Sequence, residues 1–133
     1  MTLAFLGEVG REHLEALYDA LGAVEGEAFE LRLERVGQFP RPRVLWCAAT
    51  SAPAALYALQ GAVARALAAL DIPLEAQPFT PHVTVARKVS RYRGPASLPR
   101  AVTWRLQDFH LVESRTLPGG ARFQRLRGFR LQG

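Results

Sequence analysis

One cysteine, Cys47, is all the thiol this chain has, so no intramolecular disulfide can staple it. Cys47 lies in the apolar run Val44-Leu45-Trp46-Cys47-Ala48-Ala49, where a small buried hydrophobe is expected rather than a reactive thiol. That usage fits a reducing, cytoplasmic setting. No run approaches the roughly 18 consecutive apolar residues of a membrane helix, so no membrane partner is expected. The opening Met1-Thr2-Leu3-Ala4-Phe5-Leu6-Gly7-Glu8 lacks the basic segment of a secretory leader. Lysine is nearly missing too. Lys88 is the only one, and arginine carries almost all of the +5 net charge. A coding bias is the plainer explanation, although guanidinium also suits phosphate. Histidine, cysteine and carboxylates form no ligand-spaced cluster, so neither metal nor cofactor is expected.

What is present describes one soluble domain over residues 1–133. Hydrophobic residues make up 49% and charged ones 22%, enough to bury a core without a metal or disulfide. The pattern predicts a strand over Thr2–Leu6 and a helix over Glu12–Leu21, with Leu14, Leu17, Tyr18 and Leu21 on one face and Gly22 as its stop. Phe29, Leu31 and Leu33 alternate with charged residues in a half-buried strand. A turn is expected over Gly37–Arg43, then a central strand over Val44–Ala49. A long helix over Pro53–Leu70 has Ser51 as its expected N-cap. Glu75–Ala86 reads as extended and Lys88–Arg100 as a basic loop. Val102–Glu113 reads as one long strand, Pro118-Gly119-Gly120 as a tight turn, and Arg122–Leu131 as a closing strand or strand pair. Interspersed helices and turn-linked strands indicate an α+β architecture with antiparallel or mixed sheets.

Met1-Thr2-Leu3-Ala4 and Val83-Thr84-Val85-Ala86 share a pattern of apolar residue, Thr, strand former and Ala. The second copy follows a strand, a helix, an extended lead-in and His82, whereas the first follows nothing. Equal halves would place about 38 further residues, ending in a histidine, before Met1. In a strand, His82 and Thr84 point to the same face about 7 Å apart. An imidazole that moves protons near neutral pH then sits beside a hydroxyl able to donate to a phosphate oxygen.

The stretch Pro81-His82-Val83-Thr84-Val85-Ala86-Arg87 resembles the second His-x-Thr motif of the two-histidine phosphoesterases, specifically the bacterial RNA 2',3'-cyclic phosphodiesterases, or 2'-5' RNA ligases. Thr2-Leu3-Ala4-Phe5-Leu6-Gly7-Glu8 is similar to the stretch after that family's first histidine. Pro42-Arg43-Val44-Leu45-Trp46 and Phe109-His110-Leu111-Val112-Glu113-Ser114, with Gly120 and Phe123, extend the match along nearly the whole chain. The resemblance implies a bilobal, pseudo-symmetric fold with helices packed outside its sheets, here without its N-terminal strand–helix unit. It implies that His82, Thr84 and Thr2 are catalytic and that RNA or a nucleotide with a 2',3'-cyclic phosphate is the substrate. Opening that ring would leave a 2'-phosphate, and the reverse reaction would join RNA ends through a 2'-5' bond. Lacking the first motif's histidine, the chain alone is expected to be weak or inactive.

Alternation places Arg87 opposite His82, so it reaches a phosphate only if the strand ends or twists there; a surface ion pair is the alternative. Arg91 and Arg93 are candidate RNA-backbone contacts, with a solvated basic loop as the plainer reading. Phe123 is a candidate base-stacking residue, with core packing as the plainer reading. His13 is expected in solvent, and His110 on the face of its strand away from Phe109 and Leu111. Two rival readings stand beside the enzyme: a non-catalytic nucleotide- or RNA-binding module, and a truncated form that associates through an exposed sheet edge.

Overall fold

A computed structural model describes residues 1–133. Residues 1–10 run without regular structure into a single 3-10 turn at Arg11–His13 and helix α1, Leu14–Gly22. Strands β1 (Phe29–Phe39) and β2 (Val44–Ala48) follow, then helix α2 (Ala54–Ala69) and strand β3 (Val83–Ala86). Strands β4 (Ser97–Leu106), β5 (Asp108–Leu117) and β6 (Gly120–Arg130) complete the chain. The first four strands form one sheet in the order β3-β2-β1-β4, and β5 and β6 form a separate hairpin. The pairings within both sheets are antiparallel, within the antiparallel or mixed α+β arrangement expected.

The helices form because each carries an apolar stripe at the 3.6-residue period. Leu17 and Leu21 of α1 are buried, as are Leu56, Leu59, Val63 and Leu67 of α2. They meet Phe29, Leu31 and Leu33 of β1, and Phe109, Phe129 and Leu131 from the hairpin and the residue after it, in one cluster of twelve buried residues. Phe109 and Phe129 stack with ring centroids 5.0 Å apart across the β5–β6 ladder. Each fully buried leucine here contributes about 1.5–3 kcal/mol relative to exposure. The N-cap of α2 is Pro53, which offers no side-chain bond, so Ser51 does not fill the capping role expected of it. Proline is already extended there, and its fixed φ starts the helix without a side-chain acceptor.

Three further expectations are corrected. Thr2–Leu6 forms no strand. A strand exists only where a neighbouring edge accepts its backbone bonds, and this segment has none; Met1, Leu3, Ala4 and Leu6 pack against the core instead. Val102–Glu113 is not one strand. Up to Leu106 the chain pairs with β1, from Asp108 it pairs with β6, and at Gln107 the carbonyl accepts from Leu131 N–H at 2.8 Å. The turn after β1 is confined to residues 40–43, because Gly37, Gln38 and Phe39 are all paired with β2.

A bulge in the β1–β4 pairing, between Leu33 and Arg35, changes which β1 residues share a face. Beyond it, two cross-strand rows matter. Val36 pairs with Cys47 and Cys47 with Val83; Cys47 is buried and Val83 packs on the core. The adjacent row, Gly37–Trp46–Thr84, therefore lies on the opposite face of the sheet.

Candidate active site

That opposite face carries the motif. Thr84 is half-buried at the centre of β3, directly across from Trp46. His82 lies one residue before β3, and alternation puts it on the Thr84 side. Pro81 holds Thr80 extended, and the Thr80 carbonyl oxygen lies 2.7 Å from Nδ1 of His82. A carbonyl only accepts, so Nδ1 carries the proton of the neutral ring and Nε2 presents the lone pair. The ring is braced by Phe39, edge-on with centroids 5.0 Å apart, and Phe39 in turn meets Trp46 at 5.5 Å. The Arg35 guanidinium lies over Trp46, 5.8 Å from its centroid. Trp46 thus occupies the middle of this face, and its indole N–H is buried with no acceptor.

His82 and Thr84 stand together as expected. Thr2 does not join them in a matching strand: it is exposed, in the unpaired N-terminal segment. Arg87 follows directly on the end of β3 at Ala86, so strand alternation no longer decides its direction; it is exposed and takes part in none of the ion pairs. Arg91 and Arg93 are exposed in the loop between β3 and β4. Phe123 is 65% exposed on β6, which overturns the core-packing reading of that ring. His13 is exposed beside Glu12, 3.5 Å away. His110 Nε2 lies 3.3 Å from Asp108 on the same strand, while its neighbour Phe109 is buried, as the alternation required. Nowhere do three histidine, cysteine or carboxylate side chains converge.

A cavity of about 500 Å³ elsewhere is bordered by Glu8, Glu12, Asp71 and His13. Its carboxylates would repel a phosphate, whereas no carboxylate pairs with any cation near His82. Sequence reasoning missed Gly37, Phe39, Trp46 and Arg35. Pro42–Trp46 was visible as a family-like stretch. Nothing in it discloses that β2 sits between β1 and β3 in the register that brings Trp46 against Thr84.

The profile of the 2'-5' RNA ligase superfamily matches residues 1–117. The chain belongs to that superfamily. An RNA 2',3'-cyclic phosphodiesterase from Aeropyrum pernix is 33% identical over 105 residues, covering 77% of this chain and 57% of the relative. The Escherichia coli protein of the same name is 36% identical over 90 residues, covering 68% of this chain and 51% of the relative. The chain therefore spans about half the length of these curated relatives. Among solved structures, E. coli LigT complexed with 3'-AMP superposes with a TM-score of 0.91 at 30% identity, covering 99% of this chain and 76% of that one. The match extends over both sheets, so the superfamily's fold is that of the whole chain described above.

Proposed function

We propose that this chain carries the His82 half-site of an RNA 2',3'-cyclic phosphodiesterase, which opens cyclic phosphate ends to 2'-phosphates with water as the nucleophile and, with the 5'-hydroxyl of another RNA end in place of water, joins RNA ends through a 2'-5' bond. The observation that carries the reading is the Nδ1 contact of His82 with the Thr80 carbonyl. It leaves Nε2 as the one nitrogen free to exchange a proton, on the face where Thr84 presents a hydroxyl. With Nε2 unprotonated, His82 takes a proton from the attacking water or ribose hydroxyl; with Nε2 protonated, it gives one to the departing ribose oxygen. Thr84 donates to a non-bridging oxygen, and Arg87, at the end of the same strand, offsets phosphate charge. Thr2 and Phe123 take the second phosphate contact and a base-stacking contact. The relatives named as RNA 2',3'-cyclic phosphodiesterases support the reaction, and the 3'-AMP complex of E. coli LigT supports a nucleotide as ligand.

The test is hydrolysis of a 2',3'-cyclic nucleotide by this chain and by a form extended to the length of its relatives, with the product's phosphate position determined. A 2'-phosphate is expected, and His82→Ala in the extended form should lower the rate by about 10²–10⁴. Full activity in His82→Ala, or a 3'-phosphate product, would sink the assignment. Nucleotide binding with no turnover in either form would leave the non-catalytic binding module as the function.

A further inference from the structure

The β3–β4 loop is held in an unusual way for a segment so rich in charge. Gln38, between Gly37 and Phe39 on β1, reaches it with both ends of its amide. Nε2 donates to the Val89 carbonyl at 2.9 Å, and Oε1 accepts from the Tyr92 N–H at 2.9 Å. Val89 N–H donates to the Arg43 carbonyl at 3.1 Å, tying the same loop to the β1–β2 turn. The Tyr92 hydroxyl closes the far side by donating to the Pro95 carbonyl at 2.7 Å.

These bonds tie the segment carrying Arg87, Lys88, Arg91 and Arg93 to the turn carrying Arg41 and Arg43; all six cations are exposed and none is in an ion pair. Residues 36–70 and 76–107 contain no aspartate or glutamate at all. A merely solvated basic loop would relieve its own repulsion by spreading; this one is pinned in place by a side chain from another strand. The pinned loop leaves β3 only three residues beyond Thr84.

We propose that Gln38 is a positioning residue that holds the Val89–Arg93 segment as a contact strip for the phosphates of a single-stranded RNA leading into the cyclic end. The inference rests on the reading of His82 and Thr84 as the cyclic-phosphate site. A 2',3'-cyclic phosphate closes the 3' end of a strand, so the polymer leaves that site in one direction only. The strip that follows the end of β3 supplies the cations along its exit. Gln38 touches no substrate; it fixes the backbone from which Arg91 and Arg93 project.

The experiment compares binding of a short single-stranded RNA ending in a 2',3'-cyclic phosphate with binding of 2',3'-cyclic AMP. It uses the chain, Gln38→Met, Arg91→Ala/Arg93→Ala, and the three changes combined. Gln38→Met should weaken the RNA about tenfold and leave cyclic AMP within about twofold, since Gln38 lies on the face of β1 away from His82 and Thr84. The arginine pair should weaken the RNA and make the slope of log affinity against log salt shallower by about 1.4, the counterion release of two phosphate contacts. Adding Gln38→Met to the arginine pair should change nothing more, because it acts through them. Equal loss of both ligands in Gln38→Met, or RNA binding that ignores the arginine pair, overturns the proposal. The arginine variant, altered only at exposed positions, decides the matter even if Gln38→Met folds poorly. Failure of cyclic AMP to bind the unaltered chain overturns the underlying site and this proposal together. Cyclic AMP that binds as tightly as the RNA removes only the strip.

Discussion

Trp46 lies across Gly37 so closely that a Cβ on Gly37 would fall 2.9 Å from Cε2 and overlap Cζ2 and Cη2 outright. The two residues are direct cross-strand partners, and the next residue in that row is Thr84. The missing side chain at Gly37 is thus what lets an indole lie flat in the middle of the motif face.

Gly37→Ala should therefore destabilise the fold by about 1–3 kcal/mol, the cost of overpacking a ring with little room to move. In a Trp46→Leu background most of that cost should vanish, because the clash is removed. Gly128→Ala offers a contrast. Its Cβ would meet His110 Cε1 at 2.8 Å, but His110 is partly exposed and can swing out, losing only its contact with Asp108. Denaturant titration of the three single variants and the Gly37/Trp46 double variant checks the ordering; an equal cost in both glycine variants contradicts it.

The Thr80 contact fixes a tautomer, which is observable without any assay of turnover. In the neutral form His82 should show a protonated Nδ1 and a bare Nε2 in nitrogen-15 spectra, since the carbonyl 2.7 Å away can only accept. Phe39→Leu removes the edge-on ring that braces the imidazole. Aromatic pairs of this kind contribute about 0.5–1.5 kcal/mol, so cyclic-phosphate turnover should fall by a few-fold to about tenfold with KM changed less. A spectrum with the proton on Nε2 would contradict the geometry on which His82's role depends.

How much of this was legible in the sequence differs between elements for physical reasons. Period-two alternation is local, so it placed His82 and Thr84 on one face and Phe109 opposite His110. The stripe of the first helix, likewise local, identified Leu17 and Leu21. Pairing is not local. Met1–Ala4 matches Val83–Ala86 residue for residue in type, yet only the second has a strand beside it, so similar sequences take different structures. The alternation changes phase at Gln107–Asp108, from Val102, Trp104 and Leu106 to Phe109 and Leu111, and the change of partner from β1 to β6 shows that two strands meet there. Trp46, Phe39 and Gln38 acquire their parts from register alone, and an apolar run does not encode register beyond which side faces the core.

Arg127 of β6 stacks over Tyr18 of α1, its guanidinium carbon 4.0 Å from the ring centroid. This fastens the hairpin to the first helix outside the shared core. A double-mutant cycle of Tyr18→Leu and Arg127→Ala should return a coupling of about 0.5–1 kcal/mol, as for a partly exposed cation–π pair. Additive single effects would mean that the stack contributes packing area and no specific attraction.

Thr84→Val separates the strand-forming part of Thr84 from the phosphate contact proposed for it. Valine keeps the branched Cβ that suits β3 and removes only the hydroxyl. At a half-buried position opposite Trp46, stability should stay within about 0.5 kcal/mol, because no methylene is lost from the sheet. A hydrogen bond to a charged group is worth about 1.5–3 kcal/mol. Binding of a 2',3'-cyclic nucleotide should therefore weaken by about 10- to 100-fold. Thr84→Ser restores the donor at some cost in strand propensity and should recover most of the affinity while lowering stability slightly. Calorimetric binding of 2',3'-cyclic AMP, with a parallel melt for each variant, gives both readouts. If Thr84→Val binds as well as the parent, the hydroxyl is not a phosphate donor, and the phosphate would have to be held by the strand-end arginines instead.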